Sequence, residues 1–237
     1  MKKGIIVLLH GLGGSADDFN DLAKLLPKEF EIVEISIPGH ANPETLRDID
    51  FTEMFRILVD QLLKYKNIIF VGHSFGSILA LALAKILKPK ALILMSTPCH
   101  FAWYEKIGID FLSCLPWKLP SGAGIEHQIR KIFRKECTFE NRSHLYYYGK
   151  SLKKYMDFTI DTMKNLNAIR CPVLLLCGKN DKVINTKNSN RIFHLLPCKI
   201  KKEVVCIDTG HMMLAGLNAQ NTLINILSFI DHIGNYI

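Results

Sequence analysis

The chain has 237 residues, 49% of them hydrophobic and 22% charged, with 15 Gly, 9 Pro and 7 Cys. That length and apolar content exclude a disordered segment or a small disulfide-stapled scaffold, and allow one large domain or one domain carrying an insertion. The formal net charge is +8, but 23 of the 30 basic residues are Lys, a compositional bias that by itself identifies no nucleic-acid surface.

Met1-Lys2-Lys3 followed by Gly4 to Leu9 imitates the charged start of a signal peptide. The apolar stretch ends at His10 with no small-residue cleavage site after it, so it reads as a first strand. Further short aliphatic runs follow at Glu31–Ile37, Ile68–Val71, Ala91–Met95, Val173–Cys177 and Glu203–Ile207. Runs of this length that are largely apolar suit a parallel sheet covered on both faces. The segments between them have helical periodicity, as in Phe55, Leu58, Val59, Leu62 and Leu63, or Leu223, Ile226, Leu227 and Ile230. This alternation predicts an α/β protein with a mostly parallel sheet of about six strands and helices on both faces. The rhythm breaks once, where about 77 residues separate Met95 from Val173. A crossover helix needs far fewer, which predicts an inserted helical subdomain over 98–169, between core segments 1–97 and 170–237. Of the 22 aromatics, 12 fall between Phe101 and Phe158, both Trp among them.

No apolar run reaches the 18 to 20 residues of a bilayer crossing; Ile78 to Leu87, for example, is broken by Lys85 and followed by Lys88. The cysteines are odd in number, lack C-x-x-C spacing and several lie inside apolar runs. They read as buried thiols of a reducing compartment, which makes the cytoplasm the expected location and a zinc site or disulfide framework unexpected.

The chemistry concentrates in loops that follow strands. After the third run comes Gly72-His73-Ser74-Phe75-Gly76, then the apolar helical stretch Ser77 to Leu87. A bare G-x-S-x-G is compatible with a glycine-rich turn closing a helix. Between a strand and a helix, however, the glycines let the backbone turn sharply, leave the Ser74 hydroxyl exposed, and aim a helix N-terminus at developing negative charge. A serine hydroxyl needs a base to become a nucleophile. Two later strands end in Cys177-Gly178-Lys179-Asn180-Asp181 and Asp208-Thr209-Gly210-His211, and the first strand ends in His10-Gly11-Leu12-Gly13-Gly14. Open α/β sheets gather their sites at these carboxyl ends.

Together these motifs resemble the α/β-hydrolase family, and the resemblance runs from Gly4 to about Ile230. It implies an α/β-hydrolase fold with a helical lid, and a Ser-His-Asp triad of Ser74 as nucleophile, His211 as base and Asp181 as orienting acid. The backbone amides of Leu12 and Phe75 would form the oxyanion hole. It makes His10, otherwise a rival base, a structural loop histidine. Asp208, which could be a strand-end cap, is the weaker alternative to Asp181 because it stands only three residues before His211. His73 reads as packing or a hydrogen-bond partner beside the nucleophile. His100, His127, His144, His194 and His232 show no ligand spacing, and no phosphate loop is present, so neither metal nor cofactor is expected. Two departures stand out. The chain starts at the strand before His10, leaving about six strands where the family commonly has eight. Pro38-Gly39-His40-Ala41 resembles the family's P-G-H-G-x-S but continues as Asn42-Pro43.

The implied activity is a serine esterase acting on a small-molecule acyl ester, without nucleic acid and without a membrane span. Within the expected lid, Glu126 to Glu136 reads as an amphipathic helix with Ile129, Ile132 and Phe133 on one face and Arg130, Lys131, Arg134 and Lys135 on the other. Residues 101–165 carry 11 Lys+Arg against 7 Asp+Glu. This is either a solvated face or a docking surface for an acidic acyl-carrier protein; small capped hydrolases that the chain resembles include the pimeloyl-acyl-carrier-protein methyl ester esterases of biotin synthesis. Thioesterases, small-metabolite hydrolases or lyases, and non-catalytic ligand-binding relatives share the fold and remain alternatives.

Overall fold

The computed structural model describes residues 2–12, 14–38, 40, 50–101, 106, 107, 110, 113, 148–215 and 219–234. Six strands form one sheet: β1 (Gly4–Leu9), β2 (Phe30–Ile35), β3 (Ile68–His73), β4 (Ala91–Met95), β5 (Val173–Gly178) and β6 (Lys201–Cys206). Their spatial order is β2-β1-β3-β4-β5-β6, and every neighbouring pair is parallel. The chain leaves β1 for one side of the sheet to make β2 and returns on the other side of β1 to make β3. The carboxyl ends of β1 and β3 therefore flank the switch point, where such sheets bind ligands.

Successive residues of a strand point to opposite faces. Ile5, Val7 and Leu9 of β1, Phe70 of β3, Leu92 and Leu94 of β4 and Leu175 of β5 enter one buried cluster. Ile6 and Leu8, Ile69 and Val71, Ile93 and Met95, and Leu174 and Leu176 enter the other. The four central strands are buried along their length, whereas β2 and β6 are half-exposed and carry Glu31, Glu34, Lys202 and Glu203. These two are the sheet edges, and their charged residues discourage further strand pairing. The sequence predicts β2 to Ile37 and β6 to Ile207. Each instead stops where its single partner stops: Ile35 lies opposite Leu9, and Cys206 opposite Gly178. β3 runs two residues past its expected end because His73 pairs with Met95.

The first face is covered by α2 (Phe51–Leu62), α3 (Phe75–Leu87) and α5 (Lys187–Leu195), and the second by α1 (Asn20–Leu25) and α6 (Ala219–Gly234). The Asp50 carboxylate caps α2 by accepting from the amides of Thr52 and Glu53 at 2.9 and 3.1 Å. That helix buries Phe51, Met54, Leu58 and Leu62 and turns Arg56, paired with Glu53 and Asp60, to solvent. α3, buried through Ala84, is the central helix.

Of the interval expected to be inserted, α4 (Tyr148–Lys164) is described. Its Phe158 packs on Phe51, Phe55 and Phe75, its Tyr155 on Phe75 and Phe101, and Lys85 Nζ donates to the Thr162 carbonyl at 2.6 Å. At the other root, the amides of Cys99 and His100 donate to Asn188 Oδ1. The expected helix Glu126–Glu136, with Arg130, Lys131, Arg134 and Lys135, lies outside the described residues, as do Trp103 and Trp117. Among the described residues no helix is long and apolar enough to cross a membrane.

Candidate active site

Ser74 stands between β3 and α3 with φ 52° and ψ −115°, a left-handed conformation that costs a non-glycine residue on the order of 1–3 kcal/mol. The surroundings hold it there. Its amide donates to Met95 O at 2.8 Å. The buried Ser77 hydroxyl donates to Gly72 O at 2.7 Å and accepts from the Met95 amide at 3.2 Å, tying the first turn of α3 to the ends of β3 and β4. Glycine is required on both sides of the turn. A Cβ on Gly72 would stand 2.5 Å from Gly76 O, and one on Gly76 would overlap the Leu9 carbonyl of β1. The close approach of α3 to β1 is what lifts Ser74, half-buried, to the carboxyl edge.

Asp181 and His211 meet at the same edge. His211 Nδ1 donates to Asp181 Oδ2 at 2.9 Å, and the Asp181 carboxylate is fully buried. Its other oxygen accepts from the amides of Val183 and Ile184, both at 2.8 Å. Burial alone would raise the Asp181 pKa, but the hydrogen bond and charge of His211 and the two amide donors outweigh it and hold the carboxyl below its ordinary range. The two loops are locked to each other. Asn180 N donates to Thr209 O, Lys179 N to Cys206 O, and a Cβ on Gly178 would strike the carbonyls of Thr209 and Gly210. Asp208, the rival acid, is exposed, and the carboxylate on His211 Nδ1 is that of Asp181.

The loop after β1 lies against the elbow: a Cβ on Gly11 would stand 3.4 Å from Ser74 Cβ. Phe75 is the first residue of α3, so its N–H has no carbonyl one turn earlier to bond; Leu12 occupies the turn beside Gly11. His10 is buried with both ring nitrogens engaged, Nε2 accepting from Ile37 N at 3.0 Å and Nδ1 donating to Gly11 O at 2.9 Å. It therefore splices the β1 and β2 loops together, and burial lowers its pKa. His40, in the Pro38-Gly39-His40 loop, lies with its ring edge-on to His10 and stacks on Phe75 at 5.7 Å. Burial and the neighbouring His10 push His40 down to about 4, and among the described residues its buried Nε2 has no partner. Among the described residues no group of three or more His, Cys, Asp or Glu is arranged to hold a metal ion.

The arrangement thus offers a serine on a strained turn, a carboxylate-oriented imidazole and a helix N-terminus at one sheet edge. Comparison with known proteins bears on the family and the fold. A carboxylesterase of Bacillus subtilis strain 168 is 24% identical over 216 residues, covering 88% of this chain and 84% of its own. Among solved structures, one from a study of LipS and LipT, two metagenome-derived lipolytic enzymes, superposes with a TM-score of 0.74 at 14% identity over 98% of this chain and 96% of its own. A monoacylglycerol lipase of Paleococcus ferrophilus does so with a TM-score of 0.68 at 19% identity over 98% and 95%. The sequence model of the alpha/beta hydrolase family matches residues 6–217, from the first strand to beyond His211, and the chain belongs to that family.

Proposed function

We propose that this protein is a carboxylic ester hydrolase working through a serine acyl-enzyme, with Ser74 as nucleophile, His211 as general base and Asp181 as its orienting acid. The observation that carries the reading is the 2.9 Å bond from His211 Nδ1 to the buried Asp181 carboxylate, at the sheet edge where Ser74 turns out of β3. With the Nδ1 proton committed to Asp181, the lone pair of the neutral ring lies on Nε2, the tautomer that takes a hydroxyl proton. Ser74 Oγ attacks the acyl carbonyl and its proton passes to His211. The carbonyl oxygen, now negative, is met by the amides of Leu12 and Phe75. His211 then returns the proton to the leaving alcohol, and a water activated by the same imidazole releases the acid. His10 has no part in proton transfer, since both its nitrogens are spent on the loop.

The interval 98–169 is assigned as the lid over this edge, supported by the aromatic packing of α4 on Phe75, and an apolar acyl chain is the fitting substrate. A cytoplasmic location belongs to the same reading. Its support is that the five described cysteines are free thiols, with burial pushing Cys99 and Cys177 up to about 11.

The narrower substrate is an acyl methyl ester borne by an acidic acyl-carrier protein, supported by the excess of basic residues over 101–165 and by Arg130, Lys131, Arg134 and Lys135 within it. Turnover of p-nitrophenyl esters of graded acyl length, beside carrier-bound esters and thioesters, tests both levels. Hydrolysis of an ester that Ser74→Ala abolishes is expected, and its absence across the panel rejects the esterase reading. If a carrier docks, charge reversal at Arg130 and Arg134 lowers kcat/KM for the carrier-bound ester at low salt and leaves the small ester untouched. Equal rates for variant and parent on the carrier-bound ester reject the narrower reading alone.

A further inference from the structure

Two buried side chains from neighbouring strands converge on the main-chain carbonyl of His211. His73, the last residue of β3, donates from Nε2 at 2.8 Å, and Ser96, the first residue beyond β4, donates from Oγ at 3.3 Å. A carbonyl oxygen only accepts, so the His73 proton sits on Nε2 and its Nδ1 is an acceptor. That Nδ1 faces the loop after β1, where a Cβ on Gly11 would stand 3.3 Å away. The His73 ring lies 5.0 Å from the His211 ring, centroid to centroid. Ser96 is itself fixed, with φ 47° and its amide on Leu176 O at 2.9 Å. One imidazole, adjacent in sequence to Ser74, thus touches the Gly11 loop and grips the backbone of His211.

The Asp181 bond sets the orientation of the His211 ring, but the main chain that carries the ring also has to be located. Proton transfer from Ser74 demands heavy-atom separations of roughly 2.6–3.2 Å, and a displacement of about 1 Å can cost about a hundredfold in rate. Resting on the assignment of Ser74 and His211 as nucleophile and base, we infer that His73 and Ser96 are positioning residues, whose two donors fix the His211 backbone against the Ser74 elbow. His73 suits this place because burial, reinforced by the neighbouring His211, pushes its pKa down to about 4. It stays neutral beside an imidazolium at His211 and adds no second charge. The other titratable groups that act on it are Asp181 and His10.

The test uses four variants of the full chain. His73→Phe removes the donor and keeps a ring, His73→Gln places an N–H near the Nε2 position, Ser96→Ala removes the second donor, and the fourth combines His73→Phe with Ser96→Ala. For a short p-nitrophenyl ester, His73→Phe is expected to lower kcat by roughly 10- to 100-fold with KM within about twofold. His73→Gln recovers most of that loss. Ser96→Ala costs a few-fold, and the double variant loses more than the product of the single losses, because each donor backs up the other. The second readout needs no turnover: the proton resonance of His211 Nδ1–H, hydrogen-bonded to Asp181, broadens or moves in His73→Phe and in the double variant and is retained in His73→Gln. Parental kcat in His73→Phe, a loss confined to KM, or an unmoved resonance in the double variant overturns the inference. If His73→Phe does not fold, Ser96→Ala and His73→Gln decide it by the same two readouts, with an unmoved resonance and parental kcat in Ser96→Ala counting against it. If Ser74→Ala retains turnover, the esterase assignment fails while the resonance still reports whether these donors hold His211.

Discussion

At the amino edge of the sheet, Lys88, Lys90 and Arg170 stand with Pro89, Pro172 and Ile233 around a cavity of about 520 Å³. At the carboxyl edge, Ser74, Asp181 and His211 sit among loops that bond to one another. The three cations of the amino edge are exposed, and exposed charges keep their own hydration and gain little from neighbours. The carboxyl edge spends backbone strain at Ser74 and Ser96, buries the Asp181 carboxylate and satisfies it with three donors. The amino edge thus offers volume between exposed cations, whereas at the carboxyl edge buried, mutually bonded polar groups converge, because all the strands of a parallel sheet end there.

Substitutions can break this contrast, in decreasing order of effect. Ser74→Ala and His211→Ala should each lower ester turnover by roughly a thousandfold or more with circular dichroism unchanged. Asp181→Asn should cost less than either but on the order of a hundredfold or more, through the wrong His211 tautomer, whereas Asp208→Asn should stay within a few-fold. A steady-state comparison of the two asparagine variants checks this, and a larger loss at Asp208 would reassign the acid. Gly76→Ala should lower denaturant stability by several kcal/mol, since its Cβ has no room beside the Leu9 carbonyl. Alanine at Lys88, Lys90 and Arg170 together should leave turnover within about twofold, and a tenfold loss would give the amino edge a role in the reaction.

Acid should also act on the carboxyl edge. His73 and His40 titrate at about 4 in the folded protein against 6.5 ordinarily, so between these values the unfolded chain binds more protons. Stability is full above pH 6.5 and falls as pH drops toward 4, by up to about 1.4 kcal/mol per pH unit for each histidine. Asp181, held low, adds a further loss at more acidic pH. Denaturant titrations at pH 7, 5.5 and 4.5 measure the slope, and it should flatten in His73→Gln.

The elbow is legible in sequence because its residues are near neighbours: Gly72, Ser74 and Gly76 sit two residues apart, and the steric demand at Gly72 falls inside the motif, although the one at Gly76 falls on the Leu9 carbonyl of β1, which only the fold brings there. Asp181 and His211 stand after successive strands, but it is the resemblance to the family's acid and histidine loops that singles them out in the sequence. Other features depend on pairings no local pattern carries. His73 reaches a carbonyl 138 residues away, and the His40 ring stacks on Phe75, 35 positions further along the chain. The ends of β2 and β6 are set by their partners, so an apolar run that continues to Ile37 or Ile207 overstates the strand.

The central claim is that Ser74 is a nucleophile activated by His211 and Asp181. Its most direct test is labelling of the folded protein with a fluorophosphonate, followed by intact mass and peptide mapping. The account predicts a single adduct on Ser74, absent in Ser74→Ala and formed at least roughly a hundredfold more slowly in His211→Ala. A folded parent that takes no label, an adduct on another residue, or equal labelling of Ser74→Ala would contradict it.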